Sequence, residues 1–291
     1  MKDLVSIIIP TYKRPGMLGR SIDSCLNQTY QNIEILVIDD NNPDSSGRAE
    51  TIEFMKKYAD NEKIRYIKRN KNGGGAESRN EGIKKANGEY IAFLDDDDYF
   101  FKDKIEKQLL FMKKYNYDAT FTGVETYDET KNKMVKIKKH DNFEKYSNVL
   151  VYHLVEMIVS PQTFMYKKSV LDSINGFDNV AAGQEYHLMY KTITNNFKVG
   201  CLHEVLTRIC IHSLERITTG KNKLQAEKDL YNLKKQHFNL LNFKERRQIK
   251  YIYRYNVWNK YKSSNDLKQY IWLLKIVLCH PILLFKRKVI S

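Results

Sequence analysis

The stretch GEYIAFLDDDDYF (Gly88–Phe100) sets an apolar run, Tyr90–Leu94, directly against four consecutive aspartates. A short apolar run bounded by a glycine on one side and charge on the other reads as a strand buried on both faces, the kind found in parallel sheets. Three runs of the same type precede it, at Leu4–Ile9, Ile33–Ile38 and Ile64–Ile67. Helical patterns separate them near Leu18–Leu26, Ala49–Tyr58 and Ala76–Ala86. This alternation predicts βαβ units and an α/β fold in which a Rossmann-like sheet is flanked by helices. Every run ends in polar or turn residues: Pro10-Thr11, Asp39–Asn42, Arg69-Asn70 and Asp95–Asp98. Ligands of open α/β sheets bind beyond the carboxyl ends of the strands, so these four clusters are the candidate site.

Beyond Phe101 the pattern becomes mixed. A helix is expected at Asp103–Tyr115, with Ile105, Leu109 and Met112 on one face, and strands at Ala119–Val124 and Met134–Ile137. From Lys221 onward helical spacing dominates, for example Leu267, Tyr270, Ile271, Leu274, Val277 and Leu278. The reading is therefore a mixed α/β body over residues 1–220 and a C-terminal helical appendage over 221–291. The chain of 291 residues has 49 Lys and Arg against 35 Asp and Glu, a net +14, and 42% hydrophobic residues, enough to bury a core. The charge is uneven, with 17 Lys and Arg against 4 Asp and Glu in residues 221–291. Four cysteines, Cys25, Cys201, Cys210 and Cys279, form no CxxC pair and no tight cluster, which argues against a zinc site and for a reducing cytoplasm. The first apolar run is too short for a signal peptide, and Tyr270–Phe285, interrupted by Lys275 and Pro281, is too short to cross a bilayer.

Four like charges in a row repel, and a solvated loop would tolerate them. Their junction with a buried strand instead puts carboxylates at the ligand edge of the sheet, where a hard cation such as Mg²⁺ or Mn²⁺ relieves the repulsion. Such ions take few carboxylates and complete their shells with substrate phosphate oxygens, so a metal-bound diphosphate is the natural ligand. At the second strand end Asp39 can accept from a base or a ribose, while Asp40 and Asn41 also suit an Asx turn that caps the next helix. The loop Gly73–Gly75 enters a helix, and its amides, with Arg79, are placed to face phosphates. It has neither a Walker pattern nor the GxGxxG spacing after the first strand, which argues against nucleotide hydrolases and dinucleotide enzymes.

Together VSIIIPTYKR (Val5–Arg14), VIDDNN (Val37–Asn42), GGAESRNEGI (Gly74–Ile83) and GEYIAFLDDDD (Gly88–Asp98) resemble family 2 glycosyltransferases of the GT-A fold, over roughly the first 215 residues. The resemblance implies a nucleotide-sugar donor, most often a UDP-sugar, bound by residues 1–100, and a saccharide acceptor bound by residues 101–220. Thr11 and Tyr12 would line the nucleoside pocket, Asp39 would contact the base and Arg79 would lie near the donor. The resemblance matches Asp95 and Asp97 to the family's metal and ribose aspartates, both as candidate ligands of Mn²⁺ or Mg²⁺ with Asp97 favoured as the direct one, and puts Asp96, a donor-binding candidate, in the variable position between them. His212 stands where relatives often keep a histidine near the diphosphate or metal, although a lone histidine after an apolar strand also suits a structural role.

Relatives place a catalytic carboxylate after a glycine at the start of a helix. Here that position reads Gly183-Gln184-Glu185, a departure in which Glu185 replaces the usual aspartate, and His187 or Asp178 are alternative bases. A first-turn acid also serves a helix dipole, which is the bland reading of Glu185. A single carboxylate suffices because a diphosphate stabilised by a metal needs no acid, so only the acceptor hydroxyl must be deprotonated; attack opposite the leaving group inverts the anomeric centre. The basic, aromatic C-terminal region, with Trp258 and Trp272, fits either an anionic membrane surface or a helical cap with solvated lysines. A membrane contact points to a lipid-linked acceptor in surface polysaccharide synthesis, with the protein peripheral at the cytoplasmic face. Nucleic-acid binding would explain the charge but none of the aspartates. Two further alternatives are a sugar nucleotidyltransferase, which would need a basic glycine-rich loop after the first strand, and a non-catalytic saccharide- or membrane-binding protein on the same fold.

Overall fold

The computed structural model describes residues 3–180, 182–212 and 223–279. In chain order the elements are β1 (Val5–Thr11), α1 (Pro15–Leu26), β2 (Ile33–Asp39), α2 (Ser46–Met55), β3 (Ile64–Lys68), α3 (Gly74–Lys85), β4 (Tyr90–Phe93), β5 (Tyr99–Phe100), α4 (Lys104–Tyr115), β6 (Ala119–Asp128) and β7 (Lys133–Lys138). They continue with α5 (Val149–Glu156), β8 (Met165–Lys167), α6 (Lys168–Ser173), α7 (Gln184–Thr194), β9 (Val199–Ile211), α8 (Lys223–Gln236), α9 (Phe243–Ser263) and α10 (Lys268–Cys279). They divide into two compact units, one of Met1–Val149, Ile158–Asn179 and Gln184–Glu215, the other of Leu150–Met157, Val180–Gly183 and Arg216–Ser291.

The first unit is built on a sheet in the order β3-β2-β1-β4-β8-β6-β9-β5, with β7 paired to β6. Its first four strands are parallel, as the expected βαβ alternation requires. The continuous apolar runs are explained by burial on both faces: every residue of β2 and β4 is buried. At β4 the sheet changes character. The three-residue β8 lies antiparallel to both β4 and β6, and β9 then runs parallel to β6. The strand β8 is too short to show a period in the sequence. Cys201 and Cys210 lie on the same strand, β9, and not on neighbouring strands; both are buried and free. Burial pushes the Cys210 thiol up to about 12 and so keeps it a protonated, unreactive group.

Register fixes where the strand ends meet. Thr11 pairs with Asp39, and Asp39 with Lys68, so the polar ends of β1, β2 and β3 share one edge. The amide of Leu94 donates to the Ile8 carbonyl at 3.0 Å, which carries β4 and its aspartates to that edge. Close approach of α3 to the sheet depends on Gly82, where a Cβ would sit 2.5 Å from Cγ2 of Ile8.

The second unit holds α8, α9 and α10. Asn242 and Glu245 form a capping box that starts α9. Tyr251, Trp258 and Ile276 make its small core, flanked by Tyr255, Trp272 and Leu273. Tyr231 of α8 stacks on Tyr253 of α9, with ring centroids 4.2 Å apart. The end of the long apolar run, and the basic cluster that follows it, lie outside the described residues.

Candidate active site

The chain turns sharply after β1. Lys13 takes φ +57°, and its amide donates to Oδ1 of Asn41 at 3.1 Å, which ties this turn to the end of β2. Pro15 then opens α1, as proline at a first helical position favours. From α1, Ser21 donates through its hydroxyl to the carbonyls of Asp98 at 2.6 Å and Asp95 at 3.2 Å. Arg20 donates to the Asp97 carbonyl and pairs with Glu129. The aspartate turn is thus held by its backbone, which leaves its side chains available for separate partners.

Those side chains alternate. Asp96 and Asp98 point inward and are 6% and 2% exposed. Asp96 accepts from the Thr11 hydroxyl at 2.7 Å and the Tyr12 amide at 3.4 Å. Asp98 accepts from Nε2 of Gln162 at 2.7 Å and the Cys210 amide at 2.9 Å, joining the turn to β9. Burial, reinforced by the charge of Asp97, pushes the Asp96 carboxyl up to about 7 against the pull of Thr11 and Arg14. Burial, with Asp95 and Asp97 beside it, drives Asp98 upward as well. The outer pair differs. Asp95 is paired with Arg79, and Asp97 lies 2.6 Å from Nη1 of Arg14 and 2.9 Å from Nε2 of His212.

At the neighbouring corner Asp39 is fully buried. Its Oδ1 accepts from the Asn41 amide at 2.9 Å and Nδ2 at 2.7 Å; its Oδ2 accepts from the Tyr66 hydroxyl and lies 2.9 Å from Nε of Arg48. Both oxygens are therefore committed to donors of the chain. Asp40 does not cap α2, a task that falls to Ser45. It accepts from the amides of Gly73 at 3.0 Å and Gly74 at 2.7 Å, from Asn72 and from Arg69. Gly74 has φ +80°, the left-handed conformation that glycine tolerates. Two of the three amides expected to face a phosphate, those of Gly73 and Gly74, are thus occupied by the chain's own carboxylate, and of that loop-and-helix motif Arg79 reaches the aspartate rim.

Glu185 stands in the first turn of α7, half-buried, and its carboxylate has no hydrogen-bond or ion-pair partner among the described residues. Asp178, by contrast, is paired with Lys191 at 2.6 Å. His187 is half-buried beside the Tyr186 ring.

The structure thus brings Thr11, Tyr12, Asp96, Asp97 and His212 into one contiguous network, with Asp95 and Arg79 paired at the same turn. Asp39 sits apart in its own enclosed corner. Arg14 and Arg20 were not singled out by the sequence reading, although the position of Arg14 in PTYKR, three residues past a strand end, was the available signal.

No group of three His, Cys, Asp or Glu converges among the described residues. Two donors still fit a divalent cation. Nε2 of His212 and Oδ2 of Asp97 are hydrogen-bonded at 2.9 Å, with Nη1 of Arg14 2.6 Å from the same oxygen, so a cation would take the carboxylate and the imidazole as adjacent ligands by replacing that hydrogen bond. Among the described residues Asp97 is the ring's only polar partner, and its Nδ1 is buried without one. A carboxylate, an imidazole and oxygens from a diphosphate or water would complete a shell suited to Mg²⁺ or Mn²⁺.

A parallel half-sheet that passes through a short antiparallel strand into a mixed half, with aspartates on its carboxyl edge, is the GT-A architecture. Residues 6–174 match the model of glycosyl transferase family 2. An uncharacterized glycosyltransferase of Rickettsia prowazekii is 32% identical over 236 residues, covering 79% of this chain and 70% of that relative. The chain therefore belongs to glycosyl transferase family 2 and is a transferase. Among solved structures, the fold is similar to Staphylococcus aureus TarS 1–349 in complex with UDP-GlcNAc, with TM-score 0.61, 17% identity and coverage of 87% of this chain and 81% of that one. It is likewise similar to the mannosyltransferase PcManGT from Pyrobaculum calidifontis in complex with GDP-Man and Mn²⁺, with TM-score 0.60, 15% identity and coverage of 95% and 81%.

Proposed function

We propose that the chain is a metal-dependent, inverting glycosyltransferase that moves a sugar from a nucleotide-sugar donor, a UDP-sugar, to a saccharide acceptor. Residues 1–100 hold the donor and residues 101–220 the acceptor. The observation that carries this reading is the 2.9 Å approach of Asp97 and His212 at the carboxyl edge, beside the Asp95–Arg79 pair. The donor class is supported by the complexes of TarS with UDP-GlcNAc and of PcManGT with GDP-Man and Mn²⁺.

In this reading Asp97 and His212 hold Mn²⁺ or Mg²⁺, and Asp95 and Arg79 flank the donor. A bound cation supplies Lewis-acid neutralisation of the charge on the departing diphosphate. Thr11 and Tyr12 line the nucleoside pocket, with Asp96 bracing them from behind. The side chain of Asp39, closed off by Tyr66 and Arg48, shapes the corner in which the base sits, and a direct contact to the base requires one of these donors to give way. Glu185 takes the proton from the acceptor hydroxyl. The acceptor oxygen then bonds to the anomeric carbon as the bond to the diphosphate breaks, and the electron pair leaves with the diphosphate. The freedom of Glu185, set against the Asp178–Lys191 pair, supports Glu185 as the base.

The acceptor is lipid-linked in this reading, and the basic C-terminal region holds the protein peripherally at an anionic membrane surface on the cytoplasmic side. Its charge excess supports this. No helix among the described residues is long and apolar enough to cross a membrane. The test is a thermal-shift screen of nucleoside diphosphates with and without Mn²⁺. UDP should stabilise the protein more with the metal than without it; a response to GDP alone would change the donor, and no response to any nucleotide would remove the reading.

A further inference from the structure

The helix α10 has two apolar faces that serve different ends. On one, Ile276 is fully buried, and Trp272 and Leu273 join it in the small core with Tyr251, Tyr255 and Trp258 of α9. On the other, Leu267, just before the helix, and Tyr270, Ile271, Leu274, Val277 and Leu278 are exposed, Leu267 by 79% and Leu278 by 71%. At about 100° per residue these six fall within an arc of about 120° centred on Leu274, with Ile276 about 160° away. The exposed row is thus a separate stripe and not the margin of the packed face. Soluble monomers rarely leave so continuous an apolar surface in water.

The flank of the stripe identifies what covers it. Lys268 and Lys275 lie within about 60° of Ile271 on the same helical wheel, on the flank of the stripe between Ile271 and Trp272, with Nζ of Lys275 4.4 Å from the centre of the Trp272 ring. In the sequence, residues 221–291 carry 17 Lys and Arg against 4 Asp and Glu. A second copy of the chain would set these lysines against their own kind, whereas an anionic lipid interface offers acyl chains to the stripe and headgroups to the lysines. Over its described residues α10 is 12 residues long, against the ~20 that a span needs, and in this reading it lies in the interface plane.

We propose that α10 inserts this leucine-rich stripe into the headgroup–acyl boundary of an anionic membrane, with Lys268 and Lys275 at the phosphates. The inference rests on the peripheral-membrane reading above and deepens it: attachment is by apolar insertion, with charge as the attracting but secondary force.

The test is co-sedimentation of the full chain with phosphatidylcholine vesicles containing about 30 mol% phosphatidylglycerol, at low salt and at about 0.5 M salt. The parent should bind at low salt and retain a large part of its binding at high salt, because insertion is not screened. The double variant Ile271→Ser/Leu274→Ser should lose about tenfold at low salt and nearly all binding at high salt. Both positions are exposed, so an unchanged far-UV spectrum is expected to accompany the loss. Parental binding by this variant, abolished by salt, would leave a purely electrostatic attachment and overturn the insertion alone. Absence of parental binding at any salt would overturn the membrane reading with it. A concentration-dependent dimer in sedimentation velocity, dissociated by the same double variant, would assign the stripe to a second copy and overturn the proposal.

Discussion

Two strand ends in this molecule carry the same signature of apolar residues followed by acids, Val37–Asp40 on β2 and Phe93–Asp98 on β4, and they meet different fates. At the β2 end both carboxylates are met by donors of the chain: Asp39 by Asn41, Tyr66 and Arg48, and Asp40 by Arg69, Asn72 and two glycine amides. At the β4 end the inward pair is satisfied in this way, while among the described residues the Asp97 carboxylate faces only Arg14 and His212. A run of acids is therefore no unit of function. What separates a brace from a site is whether the fold supplies enough donors to satisfy the charge, and where it does not, a cation and its ligand can complete the set.

The largest effect is expected at the open corner. In the proposed reading Asp97→Asn should cut kcat/KM by about a thousandfold or more, since several kcal/mol of leaving-group stabilisation depend on a metal carboxylate. Calorimetry should at the same time show the loss of the Mn²⁺-dependent part of donor affinity. Unchanged nucleotide affinity in the presence of Mn²⁺ would take Asp97 out of the site. Glu185→Gln comes next: transfer should fall about a hundredfold to a thousandfold with donor affinity intact, the signature of a lost general base. Near-parental turnover would hand that task to His187.

The closed corner should respond in stability. Asp40→Ala strips Arg69 of a counter-ion and leaves two glycine amides at the start of α3 without an acceptor, at a cost of about 3–4 kcal/mol. Urea denaturation measures it. A midpoint equal to the parent's would mean that Asp40 is as replaceable as a surface acid, and the contrast between the corners would dissolve.

The sequence reading reached the strands of the parallel half and the position of the acids because both are local. Burial on two faces writes a continuous apolar run, and the acids follow in the next residues. The division of labour within Asp95–Asp98 was not legible, because it depends on distant partners: Thr11 for Asp96, Gln162 and the Cys210 amide for Asp98, and His212 for Asp97. None of these is fixed until β1, β4 and β9 lie in one sheet. The same holds for the glycine loop, which looked ready for phosphate and is occupied by Asp40, a residue more than thirty positions earlier. Three-residue β8, which turns the parallel half into the mixed half, has no period to read.

A last test asks what happens where a buried charge meets too few partners and no ligand site is near. Lys104 is fully buried in α4, its Nζ 4.2 Å from the centre of the Phe100 ring and 3.4 Å from the Phe164 carbonyl, with no carboxylate paired to it among the described residues. Burial pushes its amine down to about 7. The unfolded chain then holds this proton up to about pH 10 while the folded chain releases it above about pH 7, so between these limits the unfolded state binds more protons. Stability from this group accordingly rises with pH across that window and is flat below it. Lys104→Met keeps the length of the side chain and removes the ammonium. It should raise stability at pH 7 by about 2 kcal/mol, a value kept below the full linkage because buried charges relax, and the gain should shrink as pH approaches 9. Urea midpoints of parent and variant at pH 7, 8 and 9 decide the matter. A difference that stays constant with pH would mean that Lys104 keeps its proton in the fold, and that an aromatic face and one carbonyl can do for a buried cation what three hydrogen-bond donors and the Arg48 guanidinium do for Asp39.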